Sequence, residues 1–520
     1  MQTGPALAAL VDRYLPPATG QCPVYLGDTE GEPFVDGVSY FAEIADMLAR
    51  VKPGDAVLIA GLQVSPEMDL HGASPEAPGY RPLVDHLAEL GHDGADVRVL
   101  MSGAVWTGGV SFLPFGPFRA NIEAARTMRG WLPSTRATGR PPLRDTVLVD
   151  WSGALIGSNH QKVVLFRLGG ELTAYLGGLD LSVNRYDQAP HDTMRLGNER
   201  WGWHDAAIRL RGRAAERVWA VYRDRWETAA ALPRRYWMIS TGGVGVLNPP
   251  LRPLTLPPAP PQTPRRTDNA LMVLRSLNPW MIDSLRWRAR RHRPHLPDDG
   301  VHEIFAVIEH AIDAAQRYVY VEDQYFKEMP GGSSRFTLYA ALRRAAARGV
   351  KVILVGSGRK DPADGGDGRL KPVLTGDLRR LVVGRLPTAK QRNVVMYRIA
   401  DLTVHTKIVL IDDVFACVGS ANFFGRSMVG TDTELSCALV DLRGRARELR
   451  MQLWAEHLRA PMTPQLRVAL EDLGLALGMW RAEWLPAGSD ARTWRSTGVP
   501  AGFARTERVL IPAAYARRDL

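Results

Sequence analysis

The sequence predicts an α/β protein of two pseudo-symmetric α/β/α lobes with a single site at their interface, and three observations carry that expectation. Apolar, β-branched runs alternate with amphipathic helical segments, the pattern of strands covered on both faces. The same series of strand and helix signals occurs twice along the chain. A proline-rich stretch separates the two copies.

The lengths agree with that division. A chain of 520 residues exceeds one ordinary domain, and 45% hydrophobic with 23% charged residues allows each of two lobes a full core. Such a composition excludes a disordered chain, a collagenous one and a disulfide scaffold. In the first lobe, 1–245, the helix-like DGVSYFAEIADMLARV precedes the strand-like DAVLIAGLQV. In the second, 301–460, VHEIFAVIEHAIDAAQ precedes RYVYVEDQYF. After these, GADVRVLMSG pairs with RGVKVILVGSG, NHQKVVLF with VHTKIVLI, AYLGGLDL with ACVGSANF, and HDAAIRLRGRAAERV with TELSCALVDLRGRAREL.

The stretch 246–300 reads as a linker. Half of the residues from Pro249 to Pro264 are proline, which suits neither a helix interior nor a central strand. It continues into Arg286, Arg288, Arg290, Arg291 and Arg293, either a solvated loop or a contact for an anionic surface. The tail, 461–520, carries Trp480, Trp484 and Trp494 and is expected to pack back onto a lobe.

The net charge of +10 favours polyanions without choosing among phospholipid head groups, nucleic acid and phosphate esters. Only 8 of the 65 basic residues are lysine, so each lysine retained in this arginine-biased chain calls for a reason. No apolar run approaches the roughly 18 residues of a membrane span, and Met1 to Gln21 lacks the basic start and apolar core of an export signal. A cytoplasmic or peripheral-membrane location is expected, with secretion by another route left open. Cys22, Cys417 and Cys437 are scattered, and buried reduced thiols are expected of them.

Two of the eight lysines stand in the chain's two His-x-Lys triplets, His160-Gln161-Lys162 and His405-Thr406-Lys407, at equivalent points of the repeat. Residues two apart on a strand share a face, so each histidine and lysine reach the same space. Each triplet is followed by a strand ending in a glycine turn: Gly177-Gly178-Leu179-Asp180 and Gly419-Ser420-Ala421-Asn422. This set suits phosphodiester chemistry, where charge spreads over the phosphoryl oxygens and fixed cations and amide donors stabilise it. One imidazole can attack phosphorus while the other, as imidazolium, protonates the leaving oxygen. Asp205 and Glu434, at the start of the next strand in each half, are the candidates for orienting the histidines. No metal or cofactor is expected, because the chain has no zinc-ligand spacing, EF-hand loop or serine elbow, and DPADGGDGR (Asp361–Arg369) lacks the phosphate-loop ending.

Together with Asp412 completing HTKIVLID, the segment YVEDQYF (Tyr320–Phe326), Trp203-His204-Asp205 and LWAEHL (Leu453–Leu458), these motifs resemble the phospholipase D superfamily from about Gly37 to Leu458. The resemblance is closest to the two-lobed phospholipases D. It implies a pseudo-twofold pair of lobes around one active site, with His160 as the nucleophile that forms a phosphohistidine and His405 as general acid and then base. It also implies Lys162, Lys407, Asn422 and Asp180 as phosphate-binding groups, and structural roles for Asp412, Gly177, Gly178, Gly419 and Ser420. The residues alone do not separate the two histidine roles, because the halves are too alike.

One position departs from the family pattern. Arg167 stands where the first motif would carry the counterpart of Asp412. That aspartate, five residues beyond the lysine, reads as support for the strand; a non-catalytic first lobe is the competing explanation. The expected activity is hydrolysis of the distal phosphodiester of glycerophospholipids to phosphatidate and free alcohol, with head-group exchange when another alcohol intercepts. A cardiolipin synthase-type phosphatidyltransferase, a superfamily nuclease, and a silent lipid- or polyanion-binding protein are the alternatives. The aromatic run Ala104–Phe118 reads either as an acyl-chain or membrane-interface loop or as a loop folded into the core. A glycerophospholipid substrate and an anionic membrane surface are the expected partners, nucleic acid is not, and an internal pseudodimer is expected to be a monomer.

Overall fold

A computed structural model of the chain describes residues 5–18, 22–103, 117–135, 138–150, 158–191, 195–196, 199–200, 203–231, 255–265, 267–277, 300–324, 326, 337–357, 382–399, 402–423, 425–458, 460–481, 484 and 506–508. It opens with α1 (Pro5–Tyr14) and β1 (Tyr25–Leu26). The first lobe runs through β2 (Thr29–Val35), α2 (Gly37–Ala49), β3 (Ala56–Gly61), α3 (Leu83–His92), β4 (Asp96–Ser102), α4 (Pro117–Gly130), β5 (Val147–Asp150), β6 (Lys162–Leu168) and β7 (Glu171–Gly177). The short β8 (Arg195–Leu196), β9 (Glu199–Arg200) and β10 (Trp203–His204) lead to β11 (Ala206–Gly212) and α5 (Arg213–Ala231).

The second lobe repeats the series. It runs β12 (Asn269–Leu277), β13 (Val301–His302), α6 (Glu303–Ala314), β14 (Tyr318–Asp323), α7 (Tyr339–Arg348), β15 (Lys351–Ser357), α8 (Thr388–Gln391), β16 (Val394–Ile399) and β17 (Thr403–Val404). Then come β18 (Lys407–Ile411), β19 (Phe415–Gly419), α9 (Gly425–Met428), β20 (Glu434–Asp441) and α10 (Arg445–His457), and last α11 (Pro464–Glu471), α12 (Leu473–Trp480) and β21 (Thr506–Arg508).

The two sheets have one topology. The first is ordered β2-β11-β7-β6-β3-β4-β5 and the second β12-β20-β19-β18-β14-β15-β16, with β1 and β21 added at the edges of the second. Position for position the strands correspond, and in each sheet only the last three are mutually parallel. The local reasons are visible in the sequence. All six residues of β3, AVLIAG, are buried, as a strand covered on both faces requires. Tyr40, Phe41, Ile44, Met47 and Leu48 of α2 lie on one helical face and are buried against the outer side of the first sheet. Between the sheets lies a shared core in which Trp219, Tyr222 and Trp226 of α5 and Leu449 and Trp454 of α10 meet apolar residues of both. The α/β/α expectation therefore holds, with the two inner helical layers merged into the lobe interface.

Two boundaries differ from the sequence reading. Residues 269–277, inside the expected linker 246–300, form β12, the counterpart of β2. Proline marks only the preceding stretch, where Pro257 and Gln262 are held by Trp219, Glu216 and Leu172 of the first lobe. Within the expected first lobe 1–245, α1 and β1 belong instead to the second: β1 pairs with β12, and α1 packs among α6, β12 and β20. The apolar residues of α1, Leu7 and Tyr14, complete the second lobe's outer core. In the tail, Trp480 packs against Trp454, Tyr320 and Tyr397. Trp484 donates to the Arg392 carbonyl at 3.1 Å. Cys22, Cys417 and Cys437 are all buried. No helix among the described residues is long and apolar enough to cross a membrane.

Candidate active site

The two His-x-Lys triplets enter the inner strands β6 and β18 at the lobe interface. Backbone hydrogen bonds join the lobes on both sides of them. His160 N–H donates to the Thr433 carbonyl at 2.9 Å, and His405 N–H donates to the His204 carbonyl at 2.7 Å. The residues that accept these bonds, Thr433 and His204, immediately precede Glu434 and Asp205. Each bond thereby sets one lobe's acid beside the other lobe's imidazole.

The side chains complete this crossing. His160 Nδ1 lies 3.1 Å from both carboxylate oxygens of Glu434 and 3.0 Å from the Ser420 carbonyl. His405 Nδ1 lies 2.6 Å from Asp205 Oδ2. An ionised carboxylate can only accept, so with both acids ionised Nδ1 is the protonated nitrogen of each ring and Nε2 is the one left for chemistry. The sequence placed these acids as orienters; the structure adds that each serves the opposite lobe. The glycine turns make room for them. A Cβ on Gly178 would land on Asp205 Oδ1, and one on Gly419 would land on Ser436 Oγ. Gly177 is equally confined by the backbone of Ala206 and Ala207. Ser420, the counterpart of Gly178, donates to Glu434 Oε2 at 2.5 Å, and Ser427 donates to Oε1 at 2.7 Å.

The lysines are buried beside their histidines. Lys162 Nζ donates to the His160 carbonyl at 2.9 Å and Lys407 Nζ to the His405 carbonyl at 2.5 Å, which leaves further ammonium protons for a ligand. Asn422 is buried, and its Oδ1 meets no partner among the described residues. Its expected counterpart for phosphate, Asp180, is differently employed. Asp180 Oδ1 accepts from Gln63 N–H at 3.0 Å and Oδ2 stands 3.5 Å from Lys162 Nζ. A carboxylate in that place would repel phosphate, and here its contacts are with Lys162 and the Gln63 backbone.

Asp412 lies at the far end of β18 from His405. Its carboxylate accepts from the backbone N–H groups of Gln316, Arg317 and Tyr318 at 2.7, 2.8 and 2.9 Å and from the Tyr14 hydroxyl at 2.8 Å. Arg167, at the matching place in the first lobe, donates to the Gly54 carbonyl at 2.8 Å. There Asp55 takes over the accepting role, receiving Lys52 N–H at 2.9 Å and Gly169 N–H at 2.8 Å. Both lobes support this end of the sheet with a carboxylate that accepts backbone N–H groups, Asp412 in the second and Asp55 in the first, where Arg167 adds a donor.

Burial and charge shape the site's protonation. Burial, and then the cations Lys407, Arg185 and Lys162, push the His405 imidazole well below its usual range. Burial raises Asp205 to about 7 against the pull of Lys407 and Arg185, and burial lowers Lys407 to about 8. Burial thus favours the neutral form of each of these groups, and an entering phosphate anion restores the positive charge of His405 and Lys407.

Several supporting groups have no role in the sequence reading, although His204, Glu322, Glu456 and His457 lie within the motifs that carry the family resemblance. The middle residues of the triplets point away from the site. Gln161 donates to the Glu434 carbonyl at 3.2 Å and accepts from Arg225, which also binds Asp150. Thr406 donates to Glu322 at 2.5 Å. Glu322 belongs to a buried interlobe network in which His204 meets Asp36, Glu322 and Glu456, His191 meets Asp187 and Glu456, and His457 meets Glu322. In two groupings, Asp36-His191-His204-Glu456 and His204-Glu322-His457, donor atoms lie within 4.8 Å of one another, near enough to hold a metal. In both, imidazoles and carboxylates already face each other as close polar partners. The aromatic run 104–118, the arginines of 286–293, the stretch 361–369 and Trp494 lie outside the residues described for their side chains.

Comparison with known proteins agrees with the geometry. Residues 308–450 match the family model described as "Cardiolipin synthase, PLD-like domain". The chain is 23% identical over 430 residues to phospholipase D alpha 3 of Arabidopsis thaliana, covering 61% of this chain and 50% of that protein. It is 24% identical over 426 residues to phospholipase D alpha 1 of Vigna unguiculata, covering 60% and 50%. The chain thus spans about half the length of the curated relatives it matches. Among solved structures, phosphatidylserine synthase of Haemophilus influenzae Rd KW20 superposes with a TM-score of 0.50 at 14% identity, covering 88% of this chain and 90% of that one, a likeness of fold.

Proposed function

The chain belongs to the phospholipase D superfamily, and we propose that it cleaves the distal phosphodiester of a glycerophospholipid, releasing the head-group alcohol and leaving phosphatidate. The observation that carries this reading is the pair of crossed histidine–carboxylate contacts, one from each lobe, with a buried lysine beside each imidazole.

In the first step the His160 Nε2 lone pair forms a bond to phosphorus while the bond from phosphorus to the head-group oxygen breaks. His405, protonated once the phosphate has entered, gives its Nε2 proton to that oxygen, so the alcohol leaves neutral. Glu434 stabilises the charge that develops on His160, and Lys162, Lys407 and Asn422 hold the phosphoryl oxygens. In the second step water gives a proton to His405 and its oxygen displaces His160 from phosphorus. An alcohol in place of water gives head-group exchange by the same route.

Phosphatidyl transfer to an alcohol as the main reaction is a second reading, favoured by the description of the family model matched over 308–450. The test is turnover of phosphatidylcholine, phosphatidylglycerol and single-stranded DNA by the full chain with a chelator present. Release of head group with phosphatidate as product supports the hydrolase. Product appearing only with an added alcohol supports the transferase. DNA cleavage without lipid turnover, or no turnover of any phosphodiester, contradicts both.

A further inference from the structure

Arg185 ends the short turn Val183–Arg185 that follows Asp180, and it has no place in the chemistry above. Its guanidinium carbon sits 3.5 Å from the centre of the Trp203 ring. That ring stands edge-on to His405 with centroids 5.1 Å apart. Arg185 is 6% exposed, and its Nε and Nη1 are buried with no acceptor among the described residues. A guanidinium withdrawn from water without an anion is costly, and a fold retains one where something supplies the missing charge.

The pseudo-twofold axis shows that this cation is not a by-product of the fold. Counted from Gly177 and Gly419, the counterpart of Arg185 is Ser427, a neutral group that donates to Glu434. The arginine nearest that place in the second lobe, Arg426, is engaged by Asp432 through two hydrogen bonds of 2.9 and 2.6 Å. The first lobe instead leaves this cation without an acceptor for Nε and Nη1 among the described residues, beside Asp205 and His405 and close enough for its charge to act on both.

We propose that Arg185 is a third cation of the substrate site and binds an oxyanion oxygen of the substrate on the His405 side. The guanidinium fork suits either a non-bridging oxygen of the reacting phosphate or a carboxylate or second phosphate on the head group. The proposal rests on the reading of the cleft as a phosphodiester site and deepens it.

The test uses the full chain with Arg185→Met, which keeps the stem on Trp203, and Arg185→Gln should the first variant fail to fold. Two readouts are taken: inorganic phosphate binding by calorimetry, and kcat/KM on phosphatidylcholine and phosphatidylserine vesicles. Loss of a charge-assisted hydrogen bond predicts at least about tenfold weaker phosphate binding and a similar fall in kcat/KM. An equal fall on both lipids assigns the contact to the reacting phosphate, and a fall confined to phosphatidylserine assigns it to the head group. Unchanged phosphate affinity and unchanged kcat/KM in a folded variant overturn the proposal. If the wild-type chain turns over no lipid, the phospholipid reading fails while phosphate binding still decides the role of Arg185.

Discussion

Each imidazole in the cleft has its tautomer set by an acid 200 or more residues away, on the other lobe. Glu434→Gln keeps the shape of its side chain but removes the charge opposite His160, and kcat is expected to fall by about 10²- to 10⁴-fold with the melting temperature little changed. Steady-state kinetics beside a thermal melt checks this. His405 must carry a proton to act as the acid and is held well below its usual range, so kcat/KM already begins to fall on its alkaline side. Lys407, lowered to about 8 by burial, adds a second fall. In the free enzyme its ammonium is lost as the pH rises through about 8, so kcat/KM falls there. Bound phosphate holds that proton, so kcat falls only at higher pH. At this scale the histidines and lysines were legible because residue type and spacing expose them. The crossing of the acids was not, since no local pattern encodes contacts so distant in sequence. Arg185 was equally invisible, because from sequence it is one more arginine on a polar turn.

At the scale of elements, Asp412 ties the start of β14 to the end of β18 by accepting three backbone N–H groups. Asp412→Ala leaves those donors without a partner and is expected to cost about 2 kcal/mol of stability, with kcat per folded molecule within about twofold of wild type. Restoring the family residue in the first lobe should do the opposite of repair. Arg167→Asp sets a carboxylate against the Gly54 carbonyl and near Asp55, and lowers the melting temperature without raising activity. Both are read by calorimetry and by activity normalised to folded protein. The seven-strand repeat was largely legible, because β3, β6 and β7 and their partners β14, β18 and β19 are compact apolar runs in the same order. β12 was hidden by its neighbours: proline before it and arginine after it made the whole stretch read as a linker.

At the scale of the molecule, the lobes are joined beneath the site by buried imidazoles and carboxylates. Although burial opposes its charge, His191 is raised to about 9 by hydrogen bonds to Asp187 and Glu456. Its contribution to stability is fully present below its ordinary value of 6.5 and is lost as the pH rises through about 9. Burial opposes charge on Glu322 and Glu456 too, yet His204 and the neighbouring His457 and His191 hold both carboxyls below their ordinary 4.5, so their contribution is lost on the acid side. Stability should therefore peak between about pH 4.5 and 6.5 and decline toward 9 by up to roughly 3 kcal/mol, a decline that His191→Asn flattens in melts across pH. The merger of two lobes into one site has its most direct test in covalent trapping. His405→Asn cannot deprotonate water, but an aryl phosphodiester such as bis(4-nitrophenyl) phosphate needs no acid to release its first alcohol. Mixed with that substrate, the variant should release about one equivalent of nitrophenol in a burst and carry an acid-labile phosphoryl group on the peptide containing His160, seen by mass spectrometry. Label on a second-lobe peptide, or no burst and no label, would contradict the account.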